Sequence, residues 1–244
     1  ALTTQAQEID ESFMTSFSSW GPTDDGRIKP DLVADGVRLL TVNNVSDVSY
    51  QSLGGTSMSS AVVTGAVACL TQLFRIQYHG ADPAAPLMKG LLLHTARHAG
   101  SGSGPNYRFG WGLLDASAAA DFIVSNGNND QWMDMDSIAE TNVEYLCSSS
   151  GLGSIKATLV WTDWPGLPTS GVQQYHIPNL INDLDLSIIG PDGKHYPWTL
   201  DPEHPAEPAR QDRVNRRDNV EQICIETPIA GTYIIRIGGQ VNMG

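Results

Sequence analysis

Hydrophobic and polar positions change their spacing near the middle of the chain. Residues 56–74, TSMSSAVVTGAVACLTQLF, are small and apolar with helical spacing, and further helices are predicted over about 86–98 and 110–124. One stripe of small residues on the first helix is suited to close packing against a sheet: Ala61, Gly65 and Ala68. These helices predict an α/β unit that ends at the polar run 126–130.

Beyond that run, helical periodicity gives way to alternation of apolar and polar residues. Short strands are predicted over residues 154–161, 183–189, 220–226 and 232–237, with turn signals between them. Four or five such strands are typical of an antiparallel sandwich. We therefore predict two domains, residues 1–125 and residues 126–244.

Composition limits the classes of function. The 244 residues contain 27 acidic and 14 basic side chains, a formal charge of −13, which argues against a nucleic-acid partner. The same balance fits a secreted or otherwise extracytoplasmic protein, or one that takes up hard cations such as Ca²⁺. No segment is expected to span a membrane. The three cysteines are widely spaced, which makes a zinc cluster unlikely, and Cys69 is predicted to be a small core residue.

The segment from Gly54 to Gly65 is the one that carries candidate chemistry. Two glycines precede Thr56 and Ser57, and a helix is predicted to begin there. A serine at a helix N-terminus is either a cap or a nucleophile, because the free N–H groups and the helix dipole there also stabilise a bound oxyanion. Taken alone, the segment favours the cap.

Three motifs that occur in a fixed order favour the nucleophile over the cap. Residues 17–36 (FSSWGPTDDGRIKPDLVADG), 55–65 (GTSMSSAVVTG) and 107–119 (YRFGWGLLDASAA) together resemble the subtilisin-like serine protease family. The resemblance implies an α/β fold that is part of the three-layer subtilisin-like architecture. It also implies that Ser57 is the nucleophile, with its own N–H in the oxyanion hole and Thr56 lining that hole.

The rest of the family's catalytic machinery has no counterpart here. In the family the aspartate and the histidine precede the serine, yet none of the six histidines lies among the 56 residues before Ser57. The chain therefore resembles the C-terminal part of a catalytic domain, whose missing N-terminal part would be its partner, and alone it is expected to be inactive. Asp35 and Ala61 stand where the family has proline. Alanine is tolerated in a helix, whereas Asp35 changes a loop near the site and adds charge to it. Drift toward an inactive homologue is the minor alternative for these two positions. His94 and His98, four apart on a predicted helix, are expected to be core or surface residues.

The second half resembles the C-terminal jelly-roll domain of some bacterial subtilisin-like alkaline proteases, on residues 157–165, 180–187, 217–221 and 228–235. Such modules can bind Ca²⁺, which needs six to eight oxygen ligands. The candidate ligands are Asp185, Asp201, Asn215 and Asp218, which otherwise cap turns or face solvent. Trp161, Trp164 and Trp198 are candidates for a sugar-stacking face, although core packing is the more common fate of such residues.

The leading hypothesis is thus the serine-bearing part of a secreted subtilisin-like serine endopeptidase: a partial α/β fold followed by an all-β jelly-roll sandwich. The alternative is a non-catalytic homologue whose sandwich serves binding or adhesion, and a third is a sugar-binding module. Because a partial sheet exposes an unpaired edge, a homodimer through that edge is a further expectation.

Overall fold

The computed structural model describes residues 2–3, 13–126, 131–136, 142–166 and 177–241. Helices occur in the first half of the described chain and the longer strands in the second. In chain order the elements are β1 (Leu2–Thr3), β2 (Phe13–Met14), β3 (Leu39–Val42), β4 (Tyr50–Leu53), α1 (Thr56–Gln77), α2 (Ala85–Thr95), α3 (Ala116–Ser125), β5 (Val143–Ser149), β6 (Ile155–Val160), β7 (Asp183–Gly190), β8 (Gly193–His195), β9 (Val220–Ile225) and β10 (Gly231–Gln240).

The three helices pack on one another through one apolar cluster. α3 contacts both α1 and α2, and it begins at Asp115, whose carboxylate accepts the N–H of Ala118 as an N-terminal cap. The buried members of the cluster are Leu70, Phe74, Met88, Leu91, Leu92, Ala119 and Ile123. The buried members from α1 are Leu70 and Phe74 in its C-terminal half, whereas Thr56 and Ser57 in its first turn are exposed.

Short backbone pairings hold the loops of the first half together. Val33 forms a parallel bridge with Leu113, and Leu113 bridges Arg97 on its other side in the antiparallel sense. β1 pairs with β2 and β3 with β4, each as a two-stranded antiparallel sheet. This mixture of helices and small sheets is consistent with part of the predicted subtilisin-like fold.

Gly110 is the tightest point in these pairings. It has φ +61°, and a Cβ there would overlap the carbonyl oxygen of Pro30. We expect Gly110→Ala to lower the free energy of unfolding by at least about 2 kcal/mol, because it adds backbone displacement to the cost of a left-handed conformation. Gly153→Ala is the control, since Gly153 has φ +82° with no atom near the added Cβ. Equal urea midpoints for the two variants would contradict this account.

The second half forms two antiparallel sheets. One has the strand order β5-β10-β7-β8, and the other pairs β6 with β9. Their inner faces share a core of Leu186, Ile188, Ile223, Ile225 and Tyr233. The predicted antiparallel strands are confirmed, and β5 and β8 are strands that the sequence pattern missed. The finer jelly-roll topology stays a prediction.

The two halves also share a hydrophobic cluster. Its members from the first half are Ile28, Leu93, Tyr107 and Trp111, and those from the second are Trp198, Leu200, Ala209 and Val220. Hydrogen bonds reinforce the contact: Ile28 N donates to Asp218 Oδ1 at 2.7 Å, and Lys156 Nζ to the carbonyl of His94 at 2.6 Å. The predicted division at residue 126 stays a prediction, because residues 127–130 lie outside the described chain.

α1 differs from its prediction in three respects. The stripe of Ala61, Gly65 and Ala68 is exposed, so it makes no close packing with the described residues, and Cys69 is exposed rather than in the core. By length and composition alone α1 is also the one described helix that could cross a membrane, contrary to the expectation from sequence. That is weak evidence for a span, since Leu70 and Phe74 of the same helix pack in the protein core.

Candidate active site

The turn before Ser57 is fixed by two contacts with the loop of residues 34–38. Gly55 N donates to the carbonyl of Gly36 at 2.8 Å, and Ser59 Oγ donates to the carbonyl of Ala34 at 3.0 Å. Met58 N donates to the Gly55 carbonyl at 3.0 Å, which begins the hydrogen bonding of α1. The turn and the first residues of the helix are therefore held in one orientation against this loop.

Ser57 lies in the first turn of α1 with its side chain exposed. Thr56 beside it is exposed as well, and the first turn contains no acidic residue. The N–H groups of a first helical turn have no intrahelical acceptor, and the helix dipole favours negative charge there. The arrangement leaves Ser57 Oγ accessible and gives an anion beside it a favourable potential.

The described histidines make their contacts elsewhere. His94 is mostly buried, with Nδ1 2.9 Å from Thr158 Oγ1, and burial together with the charge of Lys156 lowers the pKa of His94 to about 4. His98 contacts the Gly100 carbonyl, His195 pairs with Asp192, and His204 pairs with Asp201. His176 lies outside the described residues. Within the described ranges no side chain is hydrogen-bonded to Ser57 Oγ, so no described residue activates it.

The two departures from the family pattern lie close to this turn. Asp35 Oδ1 accepts the N–H of Val37 at 3.1 Å, so its carboxylate folds back on its own loop. Ala61 is exposed on α1. Neither residue obstructs Ser57.

The structure separates the four predicted calcium ligands into two places. Asp201, Asn215 and Asp218 border a cavity of about 270 Å³, whereas Asp185 lies on β7. Exposed Asp201 accepts from Glu203 N and pairs with His204. Among the described residues, no group of three or more His, Cys, Asp or Glu side chains lies close enough together to hold a metal ion.

Asp218 is buried and has a partner for each carboxylate oxygen. Oδ1 accepts from Ile28 N, and Oδ2 accepts from Asn215 Nδ2 at 2.9 Å. Burial nevertheless raises the pKa of Asp218 to about 6, against the effect of these hydrogen bonds. The geometry makes Asp218 a tie between the two halves of the chain.

Glu221 and Asp183 are polar groups of the second half that the sequence analysis missed. Glu221 is fully buried in β9, and its carboxylate faces the strand that carries Asp183 and Asp185. A glutamate in a predicted strand that also contains Val220, Ile223 and Ile225 is the signal that would have found it. Of the three tryptophans, Trp161 and Trp198 are buried and only Trp164 is exposed, so they do not form one open face.

Comparison with known proteins finds a family match in the first half. Residues 2–112 match the sequence model of the subtilase family. Over 272 aligned residues, the chain is 28% identical to the serine protease/ABC transporter B family protein tagA of Dictyostelium discoideum, a match that covers 97% of the chain and 15% of that protein. It is 32% identical over 136 residues to the C5a peptidase of Streptococcus pyogenes serotype M18, covering 52% of the chain and 12% of that peptidase.

The matches differ in how much of this chain and how much of each relative they cover. Because the tagA match covers 97% of the chain, it includes both halves in the same order. The chain spans between 11 and 16% of the length of these curated relatives. The motif around Ser57 lies inside residues 2–112, the segment of this chain that matches the subtilase family.

Proposed function

We propose that this chain is part of a secreted subtilisin-like serine endopeptidase and that Ser57 is its nucleophile. The observation that carries the proposal is the position of Ser57: exposed, in the first turn of α1, directly after the Gly-Thr turn and inside the segment that matches the subtilase family. A hydroxyl that served only as a cap would accept a hydrogen bond from a nearby backbone N–H, and within the described chain no side chain caps the N-terminus of α1 in this way.

In the proposed reaction Ser57 Oγ attacks the carbonyl carbon of a peptide bond. The hydroxyl proton passes to a histidine nitrogen, and the negative charge that develops on the carbonyl oxygen is stabilised by the N–H of Ser57 with Thr56 beside it. Collapse of the tetrahedral intermediate breaks the C–N bond, and the amine leaves with the proton from histidine. Water then attacks the acyl-serine by the reverse sequence and releases the carboxylic acid.

The proposal needs a histidine and an aspartate from outside these 244 residues. Two observations support such an origin: the curated relatives are far longer than this chain, and the outer face of α1 around Gly65 makes no packing contact with the described residues. A further part of the catalytic domain would cover that face and bring its imidazole to Ser57. In its absence the serine stays unactivated, so we expect the chain alone to be inactive.

An extracytoplasmic location is proposed on the charge of the chain. A formal charge of −13 favours a soluble, exported protein and disfavours nucleic-acid partners. The proposed substrate is a peptide or protein, with no preference for particular side chains assigned.

A fluorophosphonate probe tests the proposal, because it reacts only with a serine whose proton is removed by a neighbouring base. We expect the longer protein that contains this sequence to be labelled at Ser57, and the 244-residue chain alone to remain unlabelled. Ser57→Ala in the longer protein should abolish labelling, and Ser60→Ala, on the exposed side of the same helix, should preserve it. An unlabelled longer protein would instead favour the binding or adhesion alternative.

A further inference from the structure

The turn that joins β3 to β4 contains a three-residue motif that the proposed peptidase chemistry does not use. Asn44-Val45-Ser46 has the form Asn-x-Ser with a residue other than proline in the middle, which is the acceptor motif for N-linked glycosylation. Of the twelve asparagines in the 244 residues, Asn44 alone begins such a triplet. Because so short a motif also arises by chance, its position in the fold decides whether it can carry a glycan.

The motif lies on an exposed turn at the tip of this hairpin. β3 and β4 pair as far as Val42 and Tyr50, and residues 43–49 connect the two strands. All three residues of the motif are exposed. An N-linked glycan is bulky and hydrophilic, and surface loops are the places that can hold one. The tip therefore leaves room for a glycan without displacing any core residue.

The hydrogen bonds of the turn distinguish Asn44 from the asparagine beside it. Asn43 Oδ1 accepts the N–H of Val45 at 3.0 Å and the hydroxyl of Ser49 at 2.7 Å, so the Asn43 side chain holds the turn together. The side-chain amide of Asn44 makes no hydrogen bond with the described residues. Nδ2 of Asn44 can therefore carry a substituent without the loss of any contact within the turn.

Exposed apolar side chains surround this free amide. The large apolar residues that are more than half exposed along the hairpin are Leu40, Val42, Val45, Val48 and Tyr50. The two at the tip are the most open, with Val45 81% and Val48 82% exposed. Apolar side chains grouped in this way mark surface that something else covers. Because Val45 follows Asn44 directly in the chain, a glycan on Asn44 lies against this apolar tip.

We propose that Asn44 is N-glycosylated and that its glycan covers the apolar tip of the β3–β4 hairpin. The inference rests on the proposed extracytoplasmic location, because the modification is made on chains that are exported. In the transfer, Asn44 Nδ2 loses a proton and bonds to the anomeric carbon of an oligosaccharide carried on a lipid diphosphate. The bond from that carbon to the diphosphate oxygen breaks, and the lipid diphosphate leaves. The four extended residues of β4, about 13 Å, separate the tip from the turn before Ser57, so the glycan stays outside the candidate active site.

Peptide N-glycosidase tests the site on the longer protein that contains this sequence, purified from its natural source. The enzyme hydrolyses the side-chain amide that holds the glycan and leaves aspartate in place of the modified asparagine. We expect the treatment to increase the electrophoretic mobility and, in heavy-oxygen water, to leave a labelled aspartate in place of Asn44 within the tryptic peptide 39–75. Asn43 in the same peptide is the internal control and should remain asparagine. An unmodified Asn44 in the untreated protein would overturn the proposal.

Variants of this protein, produced in a eukaryotic secretory host, assign the glycan to the motif. Asn44→Gln and Ser46→Ala should each abolish the mobility shift, and Ser46→Thr should preserve it, because threonine also completes the motif. Asn43→Gln is the matched control, since it alters the turn but not the motif, and it should keep the shift. The shift is read in cell extract as well as in medium, so a misfolded and retained variant still gives a result. A shift that persists in Asn44→Gln would contradict the assignment.

The covering of the apolar tip has a readout of its own. Enzymatic removal of the glycan from the folded protein should increase self-association, measured as the weight-average mass by light scattering, because Val45 and Val48 are then open to water. The same treatment of Val48→Ser should give a smaller increase, and an unchanged mass of the deglycosylated wild type would contradict the covering. None of these readouts depends on proteolysis. A protein with Ser57 labelled by the fluorophosphonate and Asn44 unmodified overturns this site alone, whereas a glycan on Asn44 beside an unlabelled Ser57 supports this site and contradicts the peptidase.

Discussion

Ser57→Ala in the longer protein is expected to lower the rate of peptide hydrolysis about 10⁶-fold, the loss known for the corresponding serine of subtilisin itself. The reason is that the acyl-enzyme route disappears altogether when no oxygen is available to form the ester. Binding of the peptide should change little, because the alanine leaves the turn and the start of α1 intact. The measurement is kcat and KM for a chromogenic peptide substrate, with the loss confined to kcat.

Ser59→Ala is the matched control for that variant. Ser59 lies two residues further along the same helix, but it is buried and donates to the carbonyl of Ala34 at 3.0 Å. Its removal should lower the free energy of unfolding by about 1 kcal/mol, because one acceptor loses its partner, and kcat should fall far less than in Ser57→Ala. Comparable loss of kcat in both variants would mean that the turn, and not the Ser57 hydroxyl, determines the rate.

Asp218 is expected to make the stability of the 244-residue chain depend on pH between about 4 and 6. In the folded chain burial raises the pKa of Asp218 from 3.8 to about 6. The folded state therefore keeps a proton that the unfolded state releases, and folding takes up a proton in this interval. The contribution of Asp218 to the free energy of unfolding falls as pH rises from about 4 to about 6, by up to about 3 kcal/mol, and is constant above that.

The variant Asp218→Asn isolates this contribution. The asparagine can still accept from Ile28 N, but its NH₂ group faces the NH₂ of Asn215, whose own oxygen is held by the N–H groups of Arg217 and Asp218. It should therefore be less stable than wild type at pH 4, and the difference should shrink or reverse by pH 7. Urea denaturation in EDTA at four pH values measures this, with exposed Asp201→Asn as the control. A difference that does not vary with pH would rule out a raised pKa for Asp218.

The sequence predicted the regular elements well where the apolar spacing was long and uniform. The helix predicted over residues 56–74 extends over Thr56–Gln77, and the strand predicted over 183–189 extends over Asp183–Gly190. β5 was missed because alternate residues along it are half-buried rather than buried, which weakens the apolar signal. β8 is three residues long and too short to carry a period.

The predictions for α1 that failed depended on residues outside that segment. Small apolar residues such as Ala61 and Ala68 indicate close packing, and spacing alone cannot state whether the partner is present. In the described chain that partner is absent, so Ala61, Ala68 and Cys69 face solvent. Ser57 could be proposed from the sequence because its motif is local, and the family match includes that motif.

For the acidic residues, the sequence could not indicate which side chains lie close together in the fold. Asp185, Asp201, Asn215 and Asp218 were predicted as ligands because they align best with the jelly-roll module that the second half resembles. Glu221 and Asp185 are 36 positions apart, and only the approach of β9 to β7 brings them near each other. Charge clusters that form when two strands pack together cannot be recognised from local composition. Here the one indication in the sequence is Glu221, a glutamate within a strand that is buried.

The cluster that joins Ile28 and Trp111 to Trp198 and Val220 has a consequence for how this polypeptide loses its structure. Each half has a hydrophobic cluster of its own, but in this shared cluster each half covers apolar residues of the other. Heat or denaturant acting on one half exposes apolar surface of both, so the two should melt in a single cooperative transition. The second half therefore supports the first, and its loss would increase the mobility of the loop that leads to Ser57.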